Sequence, residues 1–123
     1  MGYEHRIYIV DKTNVKDSFE NKYYGDTLAI FNLGKFNEFN FFTKSTDCYV
    51  YAEDGNTKIL KDDYGEPLLE LSLTETSNLT KELIKTFGSI NSRLTPFVAA
   101  LDSFIEQQQA GRHHNLVCLH YGY

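Results

Sequence analysis

Cys48-Tyr49-Val50-Tyr51-Ala52-Glu53-Asp54-Gly55-Asn56-Thr57-Lys58-Ile59-Leu60 is the stretch that decides the fold class. Its two ends are rich in β-branched and aromatic residues, and between them Gly55 and Asn56 both tolerate positive φ, so the segment reads as a β-hairpin. Downstream, Lys61-Asp62-Asp63-Tyr64-Gly65 reads as a second turn, and Pro67 suits the first position of a strand. Leu69, Leu71 and Leu73 then share one face while Glu70 and Ser72 share the other, the pattern of a half-buried strand.

Further out the same two-residue period returns. His5–Val10 alternates, with Ile7 and Ile9 on one face and Arg6, Tyr8 and Val10 on the other, and Thr27–Leu33 is again β-rich up to Gly34. Leu116 and Cys118 against Val117 and Leu119 make a final strand that is apolar on both faces and belongs inside a sheet. Between these strands lies a helical block. Leu79, Leu83, Ile84 and Phe87 form one stripe, capped from Thr76, Ser77 or Asn78. Thr95-Pro96 restarts the helix, and Phe97, Val98, Leu101, Phe104 and Ile105 lie on one side of it until Gly111. Two further segments read as helix: 14–24, from the spacing Val15, Phe19, Tyr23 with Gly25 as its cap, and a short turn around Phe36 and Phe39.

The expected architecture is therefore α+β. Strands near 5–10, 27–33, 47–53, 57–61, 67–73 and 115–121 form one mainly antiparallel sheet of five or six strands, and a helical pair within 76–110 covers one face. A chain of 123 residues, 41% hydrophobic and 24% charged, suits a single globular domain spanning 1–123. No apolar run approaches a membrane span, and Met1-Gly2-Tyr3-Glu4-His5-Arg6 lacks the core of a signal peptide, so a cytoplasmic protein is expected. Cys48 and Cys118 accordingly read as reduced, buried thiols.

Chemistry-bearing motifs are missing. There is no nucleophile elbow, phosphate-cradling glycine loop, zinc-protease helix or dinucleotide fingerprint. His5, His113, His114, Cys118 and His120 lack the paired spacing of a zinc site, and neither cofactor nor metal is expected. Charge says more. From Asp47 to Glu75 the acids are Asp47, Glu53, Asp54, Asp62, Asp63, Glu66, Glu70 and Glu75 against only Lys58 and Lys61, a net −6 in a chain of net −5. A binder of the phosphate backbone needs the opposite sign, so direct binding to nucleic acid is not expected. The expected partner-binding face is Tyr49, Tyr51, Glu53, Asp54, Asp62, Asp63, Tyr64 and Glu66, presented to a protein with a basic surface. A solvated surface that protects a sheet edge is the simpler account of the same charges. The competing function is a small enzyme or ligand-binding domain with a pocket between sheet and helices, using His5, His120 or Cys118.

At Tyr3-Glu4-His5-Arg6, at Asp47-Cys48-Tyr49 with Asp54-Gly55-Asn56-Thr57, and at Tyr64-Gly65-Glu66-Pro67-Leu68, the chain resembles small proteins of phages and mobile elements. The resemblance covers about a quarter of the chain and implies a setting only: compact acidic proteins that bind and block a host protein, nucleic-acid-handling defence enzymes among them. It carries over no site residue.

Overall fold

The computed structural model describes residues 4–19, 21–35, 38–112 and 115–123, with 13–17 as backbone only. The strands are β1 (His5–Asp17), β2 (Lys22–Gly34), β3 (Lys44–Ser45), β4 (Cys48–Tyr51), β5 (Lys58–Ile59), β6 (Leu69–Ser72) and β7 (Leu116–Gly122), and the helices are α1 (Leu73–Phe87) and α2 (Leu94–Gln109). The class is α+β as expected, but the sheet is larger and mixed. Seven strands run in the order β3-β6-β7-β1-β2-β4-β5, and β2 pairs with β4 in parallel. A two-residue β3 is long enough to add an edge to β6 and too short to leave a periodic signal.

The helix expected over 14–24 is instead a hairpin. β1 runs on to Asp17 and pairs it with Lys22 of β2, Asn21 takes φ 57° at the turn, and Phe19 is 96% exposed at the tip. Residues four apart share a helical face, but they also share a strand face, and long-range pairing to β1 outweighs a weak local preference. Around Phe39 the described residues form turns and no helix; Phe36 lies outside them. Ser72 caps α1 by accepting from the Glu75 amide at 3.2 Å, so the helix starts before the expected caps Thr76, Ser77 and Asn78. Leu73, expected at the end of a strand, becomes its first residue.

β1 and β7 are the central strands, and alternation decides what each face meets. On one face Ile7, Ile9, Leu116 and Cys118 pack with Leu94, Phe97 and Leu101 of α2 and Leu73 of α1, with Ile105 partly buried beside them. On the other, Tyr8, Val10, Leu119 and Tyr121 meet Cys48 and Val50 of β4, Leu68 and the flank of Ile59. The β4–β5 hairpin thus curls over the face that the helices leave bare. Leu79, expected on the apolar stripe of α1, is 38% exposed, while the small polar Thr76, Ser77 and Thr80 are fully buried. Ser77 Oγ donates to Asp102 Oδ1 at 2.7 Å and ties α1 to α2.

The crossing of β4 over β2 depends on Gly25. Far from capping a helix, Gly25 sits buried in β2, where an added Cβ would meet Cys48 Sγ at 2.6 Å and Val10 at 3.2 Å. Overpacking of this kind costs roughly 1–3 kcal/mol. Gly25→Ala is expected to lower the chemical-denaturation midpoint accordingly, and Cys48→Ala in the same chain to restore part of the loss. Additive losses in the double variant would show that the two sites do not clash.

Candidate functional site

Because β4 pairs with β2 only through Tyr23–Cys48 and Tyr24–Tyr49 and then leaves it, a gap remains between sheet and hairpin. It is a groove of about 620 Å³. Arg6, Tyr8, Thr27, Ile30 and Tyr121 form its sheet side, and Tyr51, Ala52, Glu53 and Ile59 its hairpin side. Ile30 is 51% exposed there. The Arg6 guanidinium lies 4.2 Å from the centre of the Tyr123 ring and 5.5 Å from that of Tyr121, so its charge is already stacked on aromatic faces. Tyr8 and Tyr121 pack edge to face at 6.0 Å. The groove is thus lined mainly by tyrosines and isoleucines, with one carboxylate, Glu53, on its rim.

The eight residues expected to form a partner-binding face divide into four groups. Tyr51 and Glu53 line the groove, and Tyr64 and Glu66 are exposed on the second turn. Tyr49 is buried, with its ring against Tyr24 and Tyr51 and under Lys58 Nζ at 4.9 Å. The three aspartates build the turns. Asp54 accepts from the amides of Asn56 and Thr57, both at 2.8 Å, and from Thr57 Oγ1 at 2.6 Å, and these bonds hold its carboxyl below the ordinary range. Asp62, expected at the surface, is buried and accepts from the amides of Tyr64 and Glu66 at 2.9 Å. Asp63 accepts from the Tyr121 hydroxyl, which places the second turn against the groove. Burial and that bond push the Tyr121 hydroxyl pKa upward.

Two further acids of the same run are neutralised internally. Lys12 Nζ lies 2.5 Å from Asp47 and 3.4 Å from Glu70, and Thr46 Oγ1 donates to Glu70 at 2.9 Å. The acidic surface free of internal bonds is therefore narrower than the sequence count.

Of the residues offered for enzyme chemistry, the two histidines meet and the thiols stand apart from them. Cys118 faces the helices, Cys48, reaching from the hairpin, faces the opposite side of the sheet, and burial pushes both thiols up to about 12, far from a reactive thiolate. His113 and His114 lie outside the described residues. Among the described residues no group of three or more His, Cys, Asp or Glu side chains could hold a metal ion. His5 and His120 do meet. Nδ1 of the first lies 2.6 Å from Nε2 of the second, both rings are buried, and Phe39 and Phe42 pack over them. One nitrogen must donate and the other accept, so the pair holds a single proton between two rings.

Sequence reading missed Arg6, Tyr8, Thr27, Ile30, Ile59 and Tyr121 as groove residues. A signal was present in β1, whose second face, Tyr8 and Val10, is as apolar as its first and demands a cover. No family model, curated protein or solved structure matches the chain. No helix of the described residues is long and apolar enough to cross a membrane.

The histidine pair gives a pH dependence of known sign. Burial, and then the charge of His5, pushes His120 down to about 4 against an unfolded value near 6.5. Above the unfolded value the residue is neutral in both states and contributes no slope. As pH falls from about 6.5 to 4 the unfolded chain takes up a proton at His120 that the folded one refuses, and stability drops. Urea midpoints across this window should fall for the native chain and flatten for His120→Gln; parallel slopes in both proteins would assign the titration elsewhere.

Proposed function

We propose that this chain is a non-enzymatic interaction module, an inhibitor in the manner of small phage and mobile-element proteins, that docks on a basic protein of the host. The single observation behind this reading is the tyrosine- and isoleucine-lined groove with Glu53 on its rim, set on the segment that carries the chain's net negative charge. Tyrosine gives large contact area for little lost side-chain entropy, and the isoleucines supply burial. The carboxylates that remain at the surface, Glu53 and Glu66 first, steer a basic partner over a Debye length of about 8–10 Å.

The test must leave Asp54, Asp62 and Asp63 in place, because reversing them would break the two turns. Glu53→Lys with Glu66→Lys changes exposed carboxylates alone. The partner is captured from host extract on the native chain and then used as analyte. The double variant should associate about tenfold more slowly at low salt, with the difference vanishing at high salt and the melting temperature unchanged. Glu82→Lys, on an exposed turn of α1, serves as the control that leaves the rate alone. Equal rates for the double variant and the native chain at low salt would return the acidic run to a solubilising surface.

A further inference from the structure

The edges of the sheet are closed in different ways. β3 and β5, at its two ends, are each two residues long and each carries a lysine, Lys44 and Lys58. Short strands and lysines are common guards against unwanted strand pairing. β2 has an edge without them. After Tyr24 it loses β4, and from Thr27 to Phe31 its one ladder neighbour among the described strands is β1. Thr27-Leu28-Ala29-Ile30-Phe31 contains neither charge nor proline.

The direction of its backbone follows from the neighbouring ladder. Glu4 and Tyr123 exchange amide–carbonyl bonds at 2.7 and 3.0 Å, so Glu4, Arg6 and Tyr8 bond toward β7, and Asn32, which lies opposite Arg6 on β2, turns its amide and carbonyl away from β1. Strand geometry repeats every two residues, and the amide and carbonyl of Ile30 therefore point the same way. The Ile30 side chain meanwhile lines the groove beside Thr27, Tyr51 and Glu53. Backbone edge and side-chain groove are thus adjacent and open to the same visitor.

We propose that the Thr27–Phe31 edge of β2 is a strand-acceptor site, which pairs with an extended basic segment of the partner while alternate side chains of that segment enter the groove. The inference rests on the docking reading above and specifies its geometry. Charge selects the occupant. Asp26 at the start of the edge and Glu53 on the groove rim are exposed carboxylates, whereas the groove's cation, Arg6, is already stacked on Tyr123. A second copy of the chain would bring −5 against −5. The edge is regular from Ala29 to Phe31, while between Thr27 and Ala29 its register to β1 shifts at Leu28, so pairing through Ile30 supplies direction and register and the groove supplies selectivity.

The probe is a seven-residue peptide of alternating lysine and valine, added to the isotopically labelled full chain and followed by amide hydrogen exchange and chemical shift. The Ile30 amide should shift and exchange at least tenfold more slowly at saturating peptide. A peptide with glutamate in place of lysine, and one with alternate amides N-methylated to block pairing, should do neither. Ile30→Pro removes an amide that faces the open edge and not β1, so it should fold and lose the peptide. The N-methylated peptide decides the matter without any variant. Shifts confined to Glu53–Glu66 with Ile30 unchanged would overturn strand addition and leave acidic docking standing, as would no binding at millimolar peptide, since docking is tested separately by capture. An Ile30 amide already slow in the free chain, in proportion to protein concentration, would assign the edge to a second copy and also overturn the proposal.

Discussion

Strand β1 has to be kept dry on both of its faces. Ile7 and Ile9 on one side and Tyr8 and Val10 on the other are between 0% and 4% exposed, and a strand of this kind needs two covers. The helices provide one, through Phe97, Leu101 and Leu94. Among the described residues no third helix lies on the second face, and the cover there is a short hairpin. To lie over the sheet, β4 must part from β2 after two residue pairs, and Gly25 allows the close crossing. The groove and the edge of β2 beside it are the remainder of that arrangement, so both come from the same constraint that builds the fold.

Electrostatics in this molecule are divided between construction and display. Asp54, Asp62 and Asp63 satisfy turn amides and a tyrosine hydroxyl, and Asp47 and Glu70 neutralise Lys12. Carboxylates that accept several amide bonds fix turns that would otherwise leave backbone donors without partners. Net charge alone therefore overstates the exposed acidic surface, and Glu53 and Glu66 are exposed carboxylates of the run that build neither turn.

Much of the fold is legible along the chain. The 48–60 hairpin, the closing strand at Leu116–Gly122 inside the sheet, and the core face of α2 at Phe97, Val98 and Leu101 follow from local periodicity and turn chemistry. Where the reading fails, tertiary context decides. Val15, Phe19 and Tyr23 fit a helix in isolation, but β1 and β2 pair through that region. Glycine at 25 suggests a cap until Cys48 occupies the space above it. The groove was not legible because its residues come from β1, β2, the 51–59 hairpin and β7, and only the curl of the sheet brings Arg6, Ile30, Tyr51 and Tyr121 together. Of the residues expected at the site, Tyr51 and Glu53 lie in it, while Tyr49 and Asp62 are drawn inward by packing and hydrogen bonding.

The central claim is that the second face of the sheet is covered only in part, leaving β2 with a free edge. Amide exchange in the dilute, unliganded chain measures this directly. The account predicts that Ile30, whose amide points away from β1, exchanges orders of magnitude faster than the amides by which β1 is tied between β2 and β7. An Ile30 amide as protected as those of β1, at concentrations too low for self-association, would contradict it.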